Sequence, residues 1–155
     1  MNIRKAKIQD TESIRTLIIK SVDPENNSDF DEQGVSLFYK PNELPAIQSR
    51  VKDPDYLTLC YVRDDRIVGI ITMYQNEKLY QLFVDPDYTK MGIATKLWNA
   101  AKELCLKIGN DNRFWVKSST IAIPVYQSFG FKLTDGRQVQ NGITYYPIVL
   151  DCRPD

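Results

Sequence analysis

Proton transfer near neutral pH most often falls to histidine, and this chain of 155 residues has none. That excludes Ser-His-Asp and Cys-His nucleophilic catalysis and argues against a transition-metal site. Any acid–base chemistry must use Tyr, Glu, Asp, Lys, Cys or water. The residues best spaced to bind something lie between Leu79 and Leu97, LYQLFVDPDYTKMGIATKL. The apolar run Leu79–Val84 reads as a largely buried strand. Asp85-Pro86-Asp87 stops it, because proline cannot donate to a ladder and Asp favours turns. Thr89-Lys90-Met91-Gly92-Ile93-Ala94-Thr95-Lys96 then runs into a helical pattern. A helix start leaves backbone N–H groups unpartnered at the positive end of its dipole, so it can receive a phosphate or pyrophosphate. Gly92 and Ala94 keep the backbone approachable, and Lys90 and Lys96 add positive charge. The same spacing also fits an ordinary strand-to-helix corner whose small residues serve packing.

The elements that must position this stretch follow from periodicity and turn residues. Asn2–Ala6 predicts a short strand, and Asp10 an N-cap for a helix burying Ile14, Leu17 and Ile18. Residues 23–31 read as a loop, followed by helices over Glu32–Tyr39 and Pro45–Val51. Phe30, Leu37, Phe38 and Tyr39 either cap the core or wall a substrate cleft. Tyr56–Arg63 and Arg66–Tyr74 form a hairpin about Asp64-Asp65, and a turn at residues 75–78 leads antiparallel into Leu79–Val84. The helix after Gly92 buries Ile93, Leu97, Ala101, Leu104 and Ile108 and is capped by Gly109-Asn110. Because that helix intervenes, the strand Phe114–Lys117 is expected parallel to Leu79–Val84. Ser118 or Ser119 is expected to cap a helix reaching Ser128, with Gly130 ending it. Phe131–Thr134 and Ile143–Leu150 are the last strands, joined by DGRQVQNG.

Composition narrows the class. Hydrophobic content is 43% and charged content 26%, and 20 basic residues balance 20 acidic ones. Nothing in that balance points to nucleic acid or a membrane surface, and no apolar run approaches the roughly 20 residues that cross a bilayer. Residues 1–155 are expected to form a single domain. The N-terminus has no signal-peptide core, so a cytoplasmic location is expected. Cys60, Cys105 and Cys152 form no CxxC pair, which argues against a zinc or disulfide framework. Cys60 and Cys105 read as small buried hydrophobes.

Phe83-Val84-Asp85-Pro86 followed by Gly92-Ile93-Ala94 resembles motif A of the GNAT superfamily of acetyl-CoA-dependent N-acyltransferases. Thr89 stands where that family most often has Gln or Arg. Ser119-x-x-Ala122, then Tyr126 and Gly130-Phe131, resembles motif B, with Ile121 where many relatives carry Asn. The resemblance covers nearly the whole chain. It implies an α/β (α+β) GNAT fold: a mixed, mostly antiparallel central sheet of six or seven strands, about four helices, and a splayed parallel pair formed by Leu79–Val84 and Phe114–Lys117. It implies acetyl-CoA as co-substrate, no metal, and an amine acceptor, either a small molecule or a peptide. A homodimer is a further expectation.

By the same resemblance, cofactor contacts fall on Phe83, Val84, Thr89, Lys90, Met91, Gly92, Ile93, Ala94, Thr95, Ser119 and Ala122. Backbone N–H groups near Phe83 or Val84 would face the developing oxyanion. Tyr126 is the expected general acid, since a phenol pKa of about 10 lies near that of an alkyl thiol. For the base, the strand offers no carboxylate. Water is expected, ordered by Tyr80, placed with Leu82 and Val84 by alternation, or by Glu77 in the preceding turn. Glu77 is equally a solvated turn charge. Two other readings fit parts of the pattern: a non-catalytic acyl-CoA-binding module, and a nucleotide-phosphate binder that leaves Tyr126–Phe131 unexplained.

Overall fold

A computed structural model describes residues 2–154, which form eight strands and five α-helices. In chain order these are β1 (Ile3–Lys5), α1 (Thr11–Ser21), α2 (Glu32–Tyr39), α3 (Leu44–Lys52), β2 (Tyr56–Arg63), β3 (Arg66–Tyr74) and β4 (Lys78–Val84). There follow α4 (Ile93–Ile108), β5 (Arg113–Ser118), α5 (Ile123–Ser128), β6 (Lys132–Leu133), β7 (Gln138–Gln140) and β8 (Ile143–Asp151). The strands run in the order β1-β2-β3-β4-β5-β8-β6, with β7 paired to β8 off that path. Every pair is antiparallel except β4–β5. The expected mixed, mostly antiparallel sheet with one parallel pair is therefore present, with one more helix than anticipated.

Each face of the sheet buries its own apolar cluster. On one face, α4 packs Ile93, Leu97, Trp98 and Ala101 against Val68, Ile71, Met73, Leu79 and Phe114. On the other, α1 and α3 pack Ile14, Ile18 and Ile47 against Cys60 and Ile70. Cys60 and Cys105 are buried thiols as expected, and burial pushes them up to about 12 and about 11 respectively. No helix among the described residues is long and apolar enough to cross a membrane.

Three local expectations are corrected. Asp10 does not cap α1 with its side chain. Its carboxylate instead receives Arg4 at 2.7 and 2.9 Å and the Lys7 N–H at 2.7 Å, which closes a 3₁₀ turn over Ile8–Asp10. The helix expected from Ser118 or Ser119 begins only at Ile123, where Pro124 supplies a helical φ without needing a donor partner. Ser118 ends β5 instead, buried. The DGRQVQNG connector carries a strand, β7, folded back on β8 by a turn with positive φ at Asn141 and Gly142.

The most consequential departure lies in β4. Its register against β3 passes from Thr72↔Gln81 directly to Met73↔Leu79, so Tyr80 is an extra residue in a β-bulge. A second backbone device sits opposite, at Gly69 in β3. A Cβ there would come 2.9 Å from Ile93 Cγ2 and 3.1 Å from Leu97 Cδ1, so glycine lets the first turns of α4 lie close against the sheet. Gly69→Ala is expected to lower stability by about 1–3 kcal/mol through overpacking. The check is urea denaturation, where a midpoint unchanged from the parent protein would remove this role for Gly69.

Candidate active site

The backbone of β4 defines the site. Only Lys78 and Trp115 stand in parallel register between β4 and β5, linked by the Trp115 N–H donating to the Glu77 carbonyl at 3.1 Å. Beyond that pair the strands part. The Asp85 N–H donates to the Val68 carbonyl at 2.8 Å, so by antiparallel alternation Phe83 bonds to Ile70 while Leu82 and Val84 turn their N–H and C=O groups away from β3, the Val84 carbonyl receiving the Ser21 hydroxyl at 3.5 Å. The backbone groups expected from Phe83 and Val84 thus resolve into Val84 and Leu82. Phe83 spends its own on β3.

On the α4 side of the gap lies a cleft of about 390 Å³. It brings together Val84, Thr89, Lys90, Gly92, Ile93, Ala94, Thr95, Ala122 and Tyr126, nine residues singled out from sequence. The loop reaches α4 through left-handed residues, Lys90 at φ 64° and Gly92 at φ 75°. No side chain caps α4, and its first internal bond runs from the Lys96 N–H to the Gly92 carbonyl at 3.0 Å. The N–H groups of Ile93, Ala94 and Thr95 therefore start a 16-residue helix without internal acceptors. Lys20 of α1 grips the loop from behind, 2.9 Å from Asp85 and 2.8 Å from Asp87. Burial alone would raise the Asp85 carboxyl, but the Asp87 N–H and Lys20 outweigh it and hold it below its usual range. Met91 points away, 41% exposed, with Arg63 Nη1 3.6 Å from its sulfur.

Tyr126 closes the far wall. It is buried between Phe129 and Phe131, ring centroids 6.2 and 5.9 Å away, and burial drives its phenol well above the ordinary value. Its hydroxyl bonds to no protein group. Among the described residues no buried side-chain oxygen is left without a partner, so this hydroxyl keeps contact with the cleft. Leu82, Tyr88, Val125, Ser128 and Phe129 also line the cleft; the sequence carried no signal for them beyond apolar patterning.

A second cavity, of about 500 Å³, opens on the opposite face of β4. The bulge decides its lining. Tyr80, Gln81 and Phe83 face it, whereas Leu79, Leu82 and Val84 face the α4 side. Alternation had put Tyr80 with Leu82 and Val84; the extra residue reverses that. Ser119 also lines this second cavity, not the first. Glu77 lines neither. It sits in the turn before β4, about 20 Å of strand from Val84, and its carboxylate receives the Trp115 indole N–H at 3.0 Å. Phe30, Leu37 and Phe38 line the cavity, Phe38 also packs against the α1–α3 cluster, Tyr39 lies outside the lining with its ring edge-on to Phe38, and Asn42 bonds Gln81 at 2.8 Å.

With the geometry described, comparison identifies the chain. The family described as "Acetyltransferase (GNAT) domain" matches residues 26–152. The chain belongs to the GNAT acetyltransferase family. No curated protein matches its sequence significantly. Among solved structures it is similar to the PaiA N-acetyltransferase of Thermoplasma acidophilum in complex with coenzyme A, at 20% identity and TM-score 0.80 over 96% of this chain and 97% of that one. A GCN5-related N-acetyltransferase from Rhodopseudomonas palustris matches at 18% identity and TM-score 0.80, over 96% and 94%. The ribosomal-protein-S18-alanine N-acetyltransferase of Escherichia coli matches at 15% and 0.67, over 99% and 94%. At these identities the likeness is one of fold.

The rim of the second cavity is stapled by Asp29, which sequence reading passed over as loop. Its buried carboxylate accepts the Thr120 N–H at 2.9 Å and the Thr120 hydroxyl at 2.6 Å, and its carbonyl accepts the Thr144 N–H at 2.6 Å. One residue thus joins the 23–31 loop, the segment before α5 and the start of β8. Gly34 reinforces the join by lying so close to the Gly142 carbonyl that no Cβ fits. Asp29→Ala, which strands both Thr120 donors, is expected to cost about 3 kcal/mol. Chemical denaturation checks this, with Asp29→Asn falling between the two; equal stability of all three proteins would remove the staple.

Proposed function

We propose that the chain is an acetyl-CoA-dependent N-acetyltransferase that moves an acetyl group to a primary amine by direct attack in a ternary complex. The observation that carries this reading is the pair of cavities on opposite faces of β4, both lined by the stretch of β4 beyond its register pair with β5. One face offers a long apolar slot ending in free helix N–H groups, and the other a chamber for an acceptor. Acetyl-CoA, when bound, supplies the acetyl group activated as a thioester.

The fit rests on this chain's own donors. The N–H groups at Ile93, Ala94 and Thr95 match a pyrophosphate, with Lys90 adjacent and Thr89 and Gly92 shaping the loop. The outward N–H and C=O groups of Leu82 and the Val84 N–H match the amides of a pantetheine arm as a strand would. The Val84 N–H also serves as the preorganised donor for the oxygen that gains charge, a contribution typically worth about 3 kcal/mol. Tyr126 donates the proton to the departing thiolate. A phenol held protonated by burial keeps its proton as pH rises through the range where an acceptor amine becomes neutral. Water in the second cavity, beside Tyr80 and Gln81, takes the proton from the amine. Glu77 is set aside as the base because β4 separates it from the gap.

Thiol release from acetyl-CoA across a panel of amines tests the reaction. Coenzyme A binding with no release on any amine would favour a non-catalytic binding module. Tyr126→Phe is expected to lower kcat about 100-fold or more while leaving the Kd for coenzyme A unchanged; an unaltered kcat removes Tyr126 as the acid. The pH profile follows from the direction of the shift. The active form is protonated and its folded pKa is raised, so activity persists as pH rises through about 10, the ordinary phenol value. kcat is therefore expected to show no descending limb there, and a limb centred near that value would show a Tyr126 with an ordinary phenol pKa.

A further inference from the structure

We propose that the acceptor is an amine that also carries a carboxylate, received by Lys117 with Arg50 and Lys78 behind it. The amine half rests on the acetyltransfer reading above; the carboxylate half rests on Lys117 in the second cavity and on two cations held against Tyr80 of its wall, which neither the fold nor that reaction requires. Lys117 lines this cavity, its Nζ 5.1 Å from the Tyr145 ring and 2.9 Å from Gln140 Oε1. Lys78 Nζ lies 4.9 Å from the Trp115 ring and 5.8 Å from the Tyr80 ring. The Arg50 guanidinium stands 5.2 Å from the same Tyr80 ring. It is 8% exposed, and the only hydrogen bond it makes is a 2.8 Å one to the Pro41 carbonyl.

Among the described residues none of these three cations has a carboxylate within ion-pair distance. The acidic groups on this side are engaged elsewhere: Asp29 by Thr120, Glu77 by the Trp115 indole, and Asp53 by the Asp55 N–H. A desolvated cation without an anion is costly, and aromatic faces return only part of that cost. The strain is visible in Arg50, which is buried, and Lys78, which is half-buried. Burial pulls both below their ordinary values, and Lys117 adds like-charge repulsion at Lys78. The chain as a whole is neutral, so this excess is local to the side of β4 that carries Tyr80 and not a general field. An incoming carboxylate relieves it, whereas a second ammonium group, as on a polyamine, adds to it. With Phe30, Phe38 and Phe83 as walls and about 500 Å³ of space, the matching molecule is a small amino acid with an apolar body.

The test compares amino acids with the amines left by removing their carboxyl group, such as phenylalanine with phenethylamine and leucine with isopentylamine. Calorimetry on the coenzyme A-bound protein reads binding, and thiol release from acetyl-CoA reads turnover. The amino acids are expected to bind about tenfold or more tightly than their decarboxylated partners, the worth of a charge-assisted hydrogen bond. Lys117→Met, an exposed position that tolerates change, is expected to abolish most of that preference, and Lys78→Met to reduce it. Equal or tighter binding of the decarboxylated amines, binding of neither class, or a preference untouched by Lys117→Met overturns the proposal. Lys117-dependent binding of the amino acids without thiol release on any amine keeps the carboxylate site and refutes acetyltransfer. Release with the decarboxylated amines alone does the reverse.

Discussion

A sheet holds together because each strand's backbone donors and acceptors find partners in its neighbours, and in this protein that rule is suspended at one place. β4 meets β5 through a single register pair, Lys78 and Trp115, and then departs from it. The departure is built into β4 itself, since the extra residue at Tyr80 adds local twist just beyond that pair. β5 meanwhile is held firmly on its other side, paired with β8 from Arg113 to Ser118. One strand bends and the other stays, so the backbone of Leu82 and Val84 is left facing an opening. Unpaired backbone groups at a sheet's centre are costly, and here they border the cleft that Val84 and Leu82 line.

The two sides of that opening are specialised by different means. On the α4 side the design is backbone-led: a glycine in β3 brings the helix close, left-handed residues aim the loop, and an uncapped helix start leaves its donors free. Such a site reads the shape and charge of a common ligand and depends little on side-chain identity, which explains why Thr89 can stand in place of a larger polar residue. On the other side the design is side-chain-led. Aromatic walls, a bonded Asn42–Gln81 pair and Lys117 line the cavity, with Arg50 and Lys78 held against the Tyr80 ring of its wall. Asp29 and Lys20 are the ties that keep the two sides in fixed relation, one across the acceptor rim and one from α1 to the end of β4.

Much of this was legible before the structure. The Leu79–Leu97 stretch and the Ser119–Phe131 segment were read as two parts of one slot, and nine of the residues so named, Tyr126 among them, line a single cleft. The hairpin at Asp64-Asp65 was readable because turn chemistry is local, whereas the strand β7 before the Asn141-Gly142 turn was not. Errors fell where a local signal had a non-local competitor. Asp10 looked like a cap because its type and position fit one, but Arg4 from the neighbouring strand segment claimed its carboxylate. Ser118 looked like a cap because a helix follows, but β8 claimed its backbone for the sheet.

The sequence by itself therefore determined the parts whose physics is short-ranged: which segments become strand or helix, and where an open helix start meets a strand end; Tyr126 was placed near it only by resemblance. Tertiary structure decided which side of β4 each residue faces. Tyr80 and Phe83 line the second cavity, Ser119 joins them, Glu77 is stranded at the far end, and Leu82 and Val84 turn their N–H groups away from β3. The physical reason is that a strand's facing has a period of two, so one bulged residue inverts everything on one side of it. Whether a residue is bulged is settled by pairing with a partner strand, and the pairing partners of β4 lie elsewhere in the chain.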